Sequence, residues 1–274
     1  MFAGCHVSIR EGYLGAAKVA YQLGANAFQY FPKNPRSLSI KDYNQQDAQL
    51  CKQFCKEYNI VSVAHTPYPT SLTPSEEKRE LTVTSLLNDL SIAEACGSIG
   101  VVVHFGSQID PNDPLKAYQL MISVLNEVLK QWDGQTLLLI ENIAGKPGSM
   151  GTTIEELVQI RNLTDYSEKI GFCFDTCHAF ASGVWDGDIH QAFIEKGLEH
   201  DYFSNVKAIH LNNSKYGLNS GKDRHAGIMA GKIKSEALKN LVRADEVKDL
   251  PFILETPTED HGQEIKDIRS FQQE

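Results

Sequence analysis

The 274-residue chain contains no uninterrupted apolar run of membrane-spanning length, no basic and apolar leader after Met1, and no Pro/Ser-rich linker. The first absence excludes a transmembrane helix, the second argues against an export signal, and the third leaves no obvious place to divide the chain. A cytoplasmic, soluble protein with a single domain over residues 1–274 is therefore expected. Its six cysteines, Cys5, Cys51, Cys55, Cys96, Cys173 and Cys177, form no CxxC pair and are dispersed. That excludes the disulfide framework of a small secreted fold and points to reduced, mostly buried thiols. Positive charge is also scarce, with 26 Lys and Arg against 35 Asp and Glu and a net charge of −9. Without a bound cation such a balance disfavours a nucleic-acid partner, because Lys and Arg neutralisation of phosphates drives much of that binding.

What is present is a rhythm. Apolar runs at 2–7, 27–31, 60–64, 100–104, 136–141, 170–175, 206–211 and 252–255 read as eight strands. Between and after them, 12–23, 45–57, 75–95, 114–131, 153–161, 188–199, 235–242 and 263–271 carry helical period, several opened by capping residues such as Ser75 with Glu76 and Glu77 behind it. Eight alternating pairs in about 250 residues predict an α/β fold, a single (β/α)8 TIM barrel, whose active sites lie at the carboxyl ends of the strands. The longest irregular stretch, 212–231, follows the seventh strand. A loop of that length is usually functional or mobile.

Nine side chains that bind zinc or manganese through nitrogen or oxygen stand at those strand ends or just past them: His65, His104, Glu141, Asp175, His178, His210, Asp223, His225 and Glu255. Taken singly, His65 or His104 more often belongs to a satisfied structural histidine, and Glu141 or Glu255 to an ion pair. Their common position favours a multinuclear metal centre, because strand ends converge on one rim of a barrel. Asp175-Thr-Cys-His178 is the most specific local signal, with Cys177 a competing thiolate ligand. Asp223-Arg224-His225 puts two ligands on one side of an extended loop and directs Arg224 away. Three divalent ions against four carboxylates would leave a surplus of about two positive charges, so an acidic protein can offer a phosphate a cationic pocket. His6 also ends a strand and fits a supporting role, whereas His190, His200 and His261 read as solvated. Lys33, Lys215, Lys222 and Arg224 read as surface charge that could steer phosphates.

The segments GCHVS at 4–8, VVVHFG at 101–106, IEN at 140–142, FDTCHAFASG at 174–183, HLNNS at 210–214, DRH at 223–225 and ILET at 253–256 resemble endonuclease IV, the zinc-dependent apurinic/apyrimidinic endonuclease family. The resemblance runs from Gly4 to Glu255 and keeps all nine ligand types. It implies a DNA-repair hydrolase that cuts the phosphodiester 5′ to an abasic site in double-stranded DNA and leaves a 3′-hydroxyl, with a 3′-repair phosphodiesterase activity alongside. It also implies a monomer holding three Zn2+ ions, with Mn2+ able to replace one. His65, His104 and Glu141 would hold one ion, Glu141, Asp175, His210 and Glu255 a second, and His178, Asp223 and His225 a third. Glu141 then bridges, and Glu255 orients or deprotonates the attacking water, which makes these two the catalytic carboxylates. Arg36 and Tyr68 match positions that the family inserts into bent DNA.

Four residues depart from the family pattern. Pro69 replaces the leucine that usually follows the inserted tyrosine, Asn213 stands for an aspartate, and Met229 and Lys234 for glycines. None is a metal ligand, so they bear on the grip of the lesion and on loop conformation. Two other functions compete. A xylose-isomerase-like sugar isomerase or epimerase would use a related strand-end set with fewer metals and leave His65, His104 and Asp-Arg-His without a task. A lesion-binding homologue impaired in turnover would keep the scaffold and bind abasic DNA uncut.

Overall fold

In the computed structural model, which describes residues 1–146, 149–187 and 191–272, each long apolar run forms a strand. The strands are β1 (Phe2–His6), β2 (Ala27–Tyr30), β3 (Val61–His65), β4 (Gly100–His104), β5 (Leu137–Glu141), β6 (Ile170–Asp175), β7 (Val206–His210), the short pair β8 (Asn213–Ser214) and β9 (His225–Ala226), and β10 (Pro251–Leu254). All but β8 and β9 pair in parallel and close into one barrel in the order β1-β10-β7-β6-β5-β4-β3-β2. Strands covered on both faces need no polar alternation, which is why they read as continuous apolar runs. No described helix is long and apolar enough to cross a membrane.

The helices are α1 (Gly12–Gln22), α2 (Gln45–Glu57), α3 (Glu76–Cys96), α4 (Pro114–Gln131), α5 (Ile154–Leu163), α6 (Thr176–Ser182), α7 (Gln191–Glu199), α8 (Tyr202–Asn205), α9 (Ser235–Arg243) and α10 (His261–Ser270). The helices anticipated from residues 12, 45, 114, 153 and 235 begin within a residue of those positions. The start expected for α7, at 188–190, lies outside the described residues and takes His190 with it. Ser75 takes the N-cap position of α3 but makes no side-chain cap bond. Working caps occur instead at Asn44, Asp175, Asp260 and Thr153, the last in a reciprocal capping box with Glu156.

Inside the barrel, Ala27, Val63, Val102, Leu139, Cys173, Ala208 and Ile253 form one buried layer. Strand side chains alternate, so the residue two positions further along each strand lies on the same inner side, one step closer to the carboxyl rim. Those residues are Gln29, His65, His104, Glu141, Asp175, His210 and Glu255. A tight apolar plug therefore sits directly beneath a ring of polar side chains. The larger core between strands and helices, with Leu86, Leu90, Leu125, Phe172 and Phe252 fully buried, holds the strands at fixed spacing around that ring.

Candidate metal centre

The nine side chains meet in three groups, each with ligand atoms within 4.8 Å of one another: His65, His104 and Glu141; Glu141, Asp175, His210 and Glu255; and His178, Asp223 and His225. Glu141 belongs to two groups because its oxygens face opposite ways. Its Oε2 lies 3.5 Å from His65 Nε2 and 3.3 Å from His104 Nε2, while its Oε1 lies 2.9 Å from His210 Nδ1. His210 Nδ1 is also 3.2 Å from Glu255 Oε2. In the third group Asp223 Oδ1 stands 3.4 Å from the Nε2 atoms of both His178 and His225. The alternation expected of Asp223 and His225 holds, but Arg224 lines the same cavity and is not fully turned away from it.

Whether these groups fit cations is decided by the atoms left without partners. Glu141 Oε2, His178 Nε2 and His225 Nε2 are buried and make no hydrogen bond. An unpaired buried polar atom is costly, and a divalent ion is the partner that these donor types suit. One such oxygen at the first group and two imidazole nitrogens at the third are donor atoms that fit zinc. Cys177 forms an alternative group with Asp175 and His225. Burial, followed by the Asp175 carboxylate, pushes its thiol up to about 12 in the ion-free protein.

The charges are mutually supporting. Burial opposes ionisation of Glu141, yet His210 and His104 outweigh it and hold the carboxyl well below its usual range. Against the same burial, His210 and neighbouring imidazoles bring Glu255 to about 2, and His178 with His225 bring Asp223 to about 2. Burial disfavours the imidazolium at His104, His178 and His210, but Glu141 raises the first, Asp175 with Asp223 the second, and Cys173 with Glu255 and Glu141 the third. Six of the nine candidate ligands, His104, Glu141, His178, His210, Asp223 and Glu255, thus already sit in a field that an ion could complete.

Three amides outside the sequence-predicted set hold this ring. Asn142 accepts from the Asp175 N–H at 2.8 Å and donates to the Asp175 carbonyl at 3.0 Å. Asn212 donates to Asp175 Oδ2 at 2.7 Å and Glu255 Oε2 at 3.2 Å, and accepts from the Glu255 N–H at 2.8 Å. Gln29 is the third, fully buried among His6, His210 and Glu255. The signal that could have found Gln29 is its inward register two residues past Ala27. Sequence reasoning misses it because a neutral amide does not announce metal chemistry.

A cavity of about 530 Å³ opens over the ring, lined by Phe31, Tyr68, Lys215, Arg224 and two further histidines, His6 and His261. His261 is half-buried at this wall, contrary to the solvated position expected, because the N-terminus of α10 packs beside the strand-end loop of Thr256. His200 is likewise half-buried. Tyr68 is 69% exposed at the mouth, its ring tilted at 60° against Phe31 with centroids 5.1 Å apart. Its backbone N–H donates to the Pro35 carbonyl at 2.8 Å, tying its loop to that of Arg36. Arg36 is exposed on that neighbouring loop and does not line the cavity. Lys33 corrects the sequence reading: it is buried, 3.1 Å from Asp89 and 2.8 Å from the Ser85 carbonyl, so it is a structural cation. Lys222 lies 4.3 Å over the Tyr216 ring.

The long irregular stretch is ordered by one departure from the family pattern. Asn213 is buried and uses both ends of its amide: Oδ1 accepts from the Ser214 and Ile233 N–H groups, and Nδ2 donates to the Ile228 and Ile233 carbonyls. An aspartate could not make the two donations. Gly231 must remain small, because a Cβ there would stand 2.0 Å from Asn213 Oδ1. Neither Met229 nor Lys234 has a positive φ, so glycine is not required at either position.

A family model described as the xylose isomerase-like TIM barrel matches residues 17–273. A probable endonuclease 4 from Symbiobacterium thermophilum is 39% identical over 277 aligned residues, covering all of both chains. The crystal structure of endonuclease IV from Thermus thermophilus superposes with a TM-score of 0.87 at 31% identity, covering 100% of this chain and 99% of that one. A D-tagatose 3-epimerase-like protein, at 20% identity and a TM-score of 0.74 over 100% of this chain and 97% of its own, shares the fold alone.

Proposed function

Because the chain belongs to the endonuclease IV family, we propose that it is a DNA-repair apurinic/apyrimidinic endonuclease that hydrolyses the phosphodiester 5′ to an abasic site and leaves a 3′-hydroxyl. The observation that carries this reading is the sharing of Glu141: one carboxylate faces two ligand groups while a third group closes beside them. Such an arrangement suits three Zn2+ ions, held by His65, His104 and Glu141, by Glu141, Asp175, His210 and Glu255, and by His178, Asp223 and His225. Mn2+ in place of one ion fits the same donors. When bound, the ions supply an activated water and neutralise charge on the attacking and leaving oxygens of an in-line displacement.

The protein's own part is positioning and proton handling. Glu255, partly accessible from the cavity and held by Gln29 and Asn212, is the carboxylate that orients the water and takes its proton. Glu141, fully buried, keeps the two ligand groups in register. Tyr68 wedges into the base stack and Arg36 enters the gap from the adjoining loop, so that only a nucleotide without its base is admitted. The apolar layer under the ring closes the barrel side of the cavity and leaves substrate one way in. We further take the chain to act as one domain and one monomer in the cytoplasm, with 3′-blocked ends as secondary substrates for the same hydrolysis.

A duplex carrying a single abasic site tests the reading. Zinc-loaded protein should nick it 5′ to the lesion, and metal analysis should find about three ions per chain. An intact duplex with fully loaded protein would overturn it, and shifted but uncut DNA would mark a lesion-binding protein. The epimerase alternative needs fewer metals and leaves three strand-end and loop histidines idle.

A further inference from the structure

Gln29 has no assigned role, yet it touches three members of the site at once. Its Nε2 lies 2.6 Å from Glu255 Oε1 and 3.2 Å from His6 Nδ1, and its Oε1 lies 2.7 Å from His210 Nε2. The side chain is fully buried, so these contacts are its whole hydrogen-bonding environment.

We infer that Gln29 is a positioning residue that sets the tautomers of His210 and His6 and thereby selects which nitrogen of His210 is offered to the metal pocket. The direction of every bond follows from Glu255. An ionised carboxylate only accepts, so the amide NH2 must face it and the amide oxygen must face His210. His210 Nε2 must then carry the proton and donate. Its Nδ1, which faces Glu141, Asp175 and Glu255 and is hydrogen-bonded to Glu141 at 2.9 Å in the ion-free protein, is then the nitrogen whose lone pair can go to a cation. On the other side, the remaining amide hydrogen points at His6 Nδ1, which must accept. His6 therefore carries its proton on Nε2, on a ring that lines the cavity. Burial, against the pull of Glu255, lowers His6 to about 4 and keeps that ring neutral. One amide thus relays the polarity of Glu255 to a ligand histidine and to a donor at the cavity wall. Outer partners that orient ligating histidines in this way typically affect metal affinity or activity about 10–100-fold.

The inference rests on the reading of the cavity as a zinc centre, and two variants test it. Gln29→Met keeps the volume and removes all three bonds. Chelator competition should find one zinc ion held about 10–100-fold less tightly, the others unchanged. Long-range 1H–15N spectra of zinc-loaded wild type should give His210 bound through Nδ1 and His6 protonated on Nε2, with both patterns lost in the variant. Gln29→Glu still accepts from His210 but cannot donate to Glu255, so it should keep the His210 pattern and lose zinc affinity, which covers failure of the methionine variant to fold. Wild-type zinc affinity in either variant, or His210 bound through Nε2, overturns the assignment. Loss of the patterns in Gln29→Met supports it even in a protein that leaves abasic DNA uncut, a result that would sink only the proposed function.

Discussion

Glu141 gives one oxygen to His65 and His104 and the other to His210, so an amide in its place leaves both ligand groups short of a charged donor. Glu141→Gln should lower the zinc content by at least one ion per chain. It should also slow nicking by about a thousandfold, the equivalent of the several kcal/mol that a metal contributes to a charged transition state. Metal analysis and single-turnover cleavage check this together, and unchanged stoichiometry would show that Glu141 is not shared. Tyr68 stands at the opposite extreme, exposed at the cavity mouth and outside the three ligand groups. Aromatic stacking on a base is worth about 1–3 kcal/mol, so Tyr68→Ala should weaken binding to abasic duplex by about 5–150-fold in a titration. Its zinc content should not move. A fall in zinc would mean that the tyrosine supports the fold of the rim and does not grip DNA.

Between elements, the Lys33 and Asp89 pair fastens the loop after β2 to α3 from inside the protein. Burial raises Asp89 to about 7 even with Lys33 beside it. A carboxyl whose folded value lies above its unfolded one contributes stability that is complete below about pH 4 and is lost as pH rises through about 7. Urea midpoints of the wild type should carry that loss between about pH 4 and 7, and those of Lys33→Met with Asp89→Leu should lack it. The double variant should be close to wild type in stability near neutrality, whereas Asp89→Leu alone, which strands a buried cation, should cost about 3–5 kcal/mol. The same pair marks where the sequence stops being legible. His65, His104 and Glu141 could be placed from the sequence because a charged or imidazole group ending an apolar strand is chemically conspicuous and the barrel fixes its direction. Lys33 could not, since its partner lies 56 residues away on α3 and nothing local distinguishes it from a surface lysine. Gln29 obeys the same inward register as the ligands but carries no charge to betray it. Likewise β8 and β9 pair only two residues each across a long loop, too little periodicity for a pattern to register.

For the whole molecule, the net charge of −9 and the acidic ring make the bound cations decide both stability and partner. Without metal, His104, His178 and His210 have raised folded values. Their stabilisation is present in full below the unfolded histidine value of about 6.5 and is lost as pH climbs through the raised ones. Glu255 and Asp223, both at about 2, act in the opposite sense: their contribution holds above the ordinary carboxylate range and disappears only on acidification through it. Chelated protein should therefore be most stable between about pH 5 and 6.5, and its melting temperature should decline as pH rises above that interval. Zinc requires neutral imidazoles, so its binding displaces those protons and strengthens over the same interval. The gap in melting temperature between zinc-loaded and chelated protein should accordingly widen from about pH 6 to about pH 8. Parallel curves would mean that the three histidines do not exchange protons for metal. Affinity for DNA should follow the gap, because the stripped cavity presents Asp223 and Glu255 to a phosphate with Glu141 and Asp175 beneath them, and the loaded one presents a surplus of positive charge.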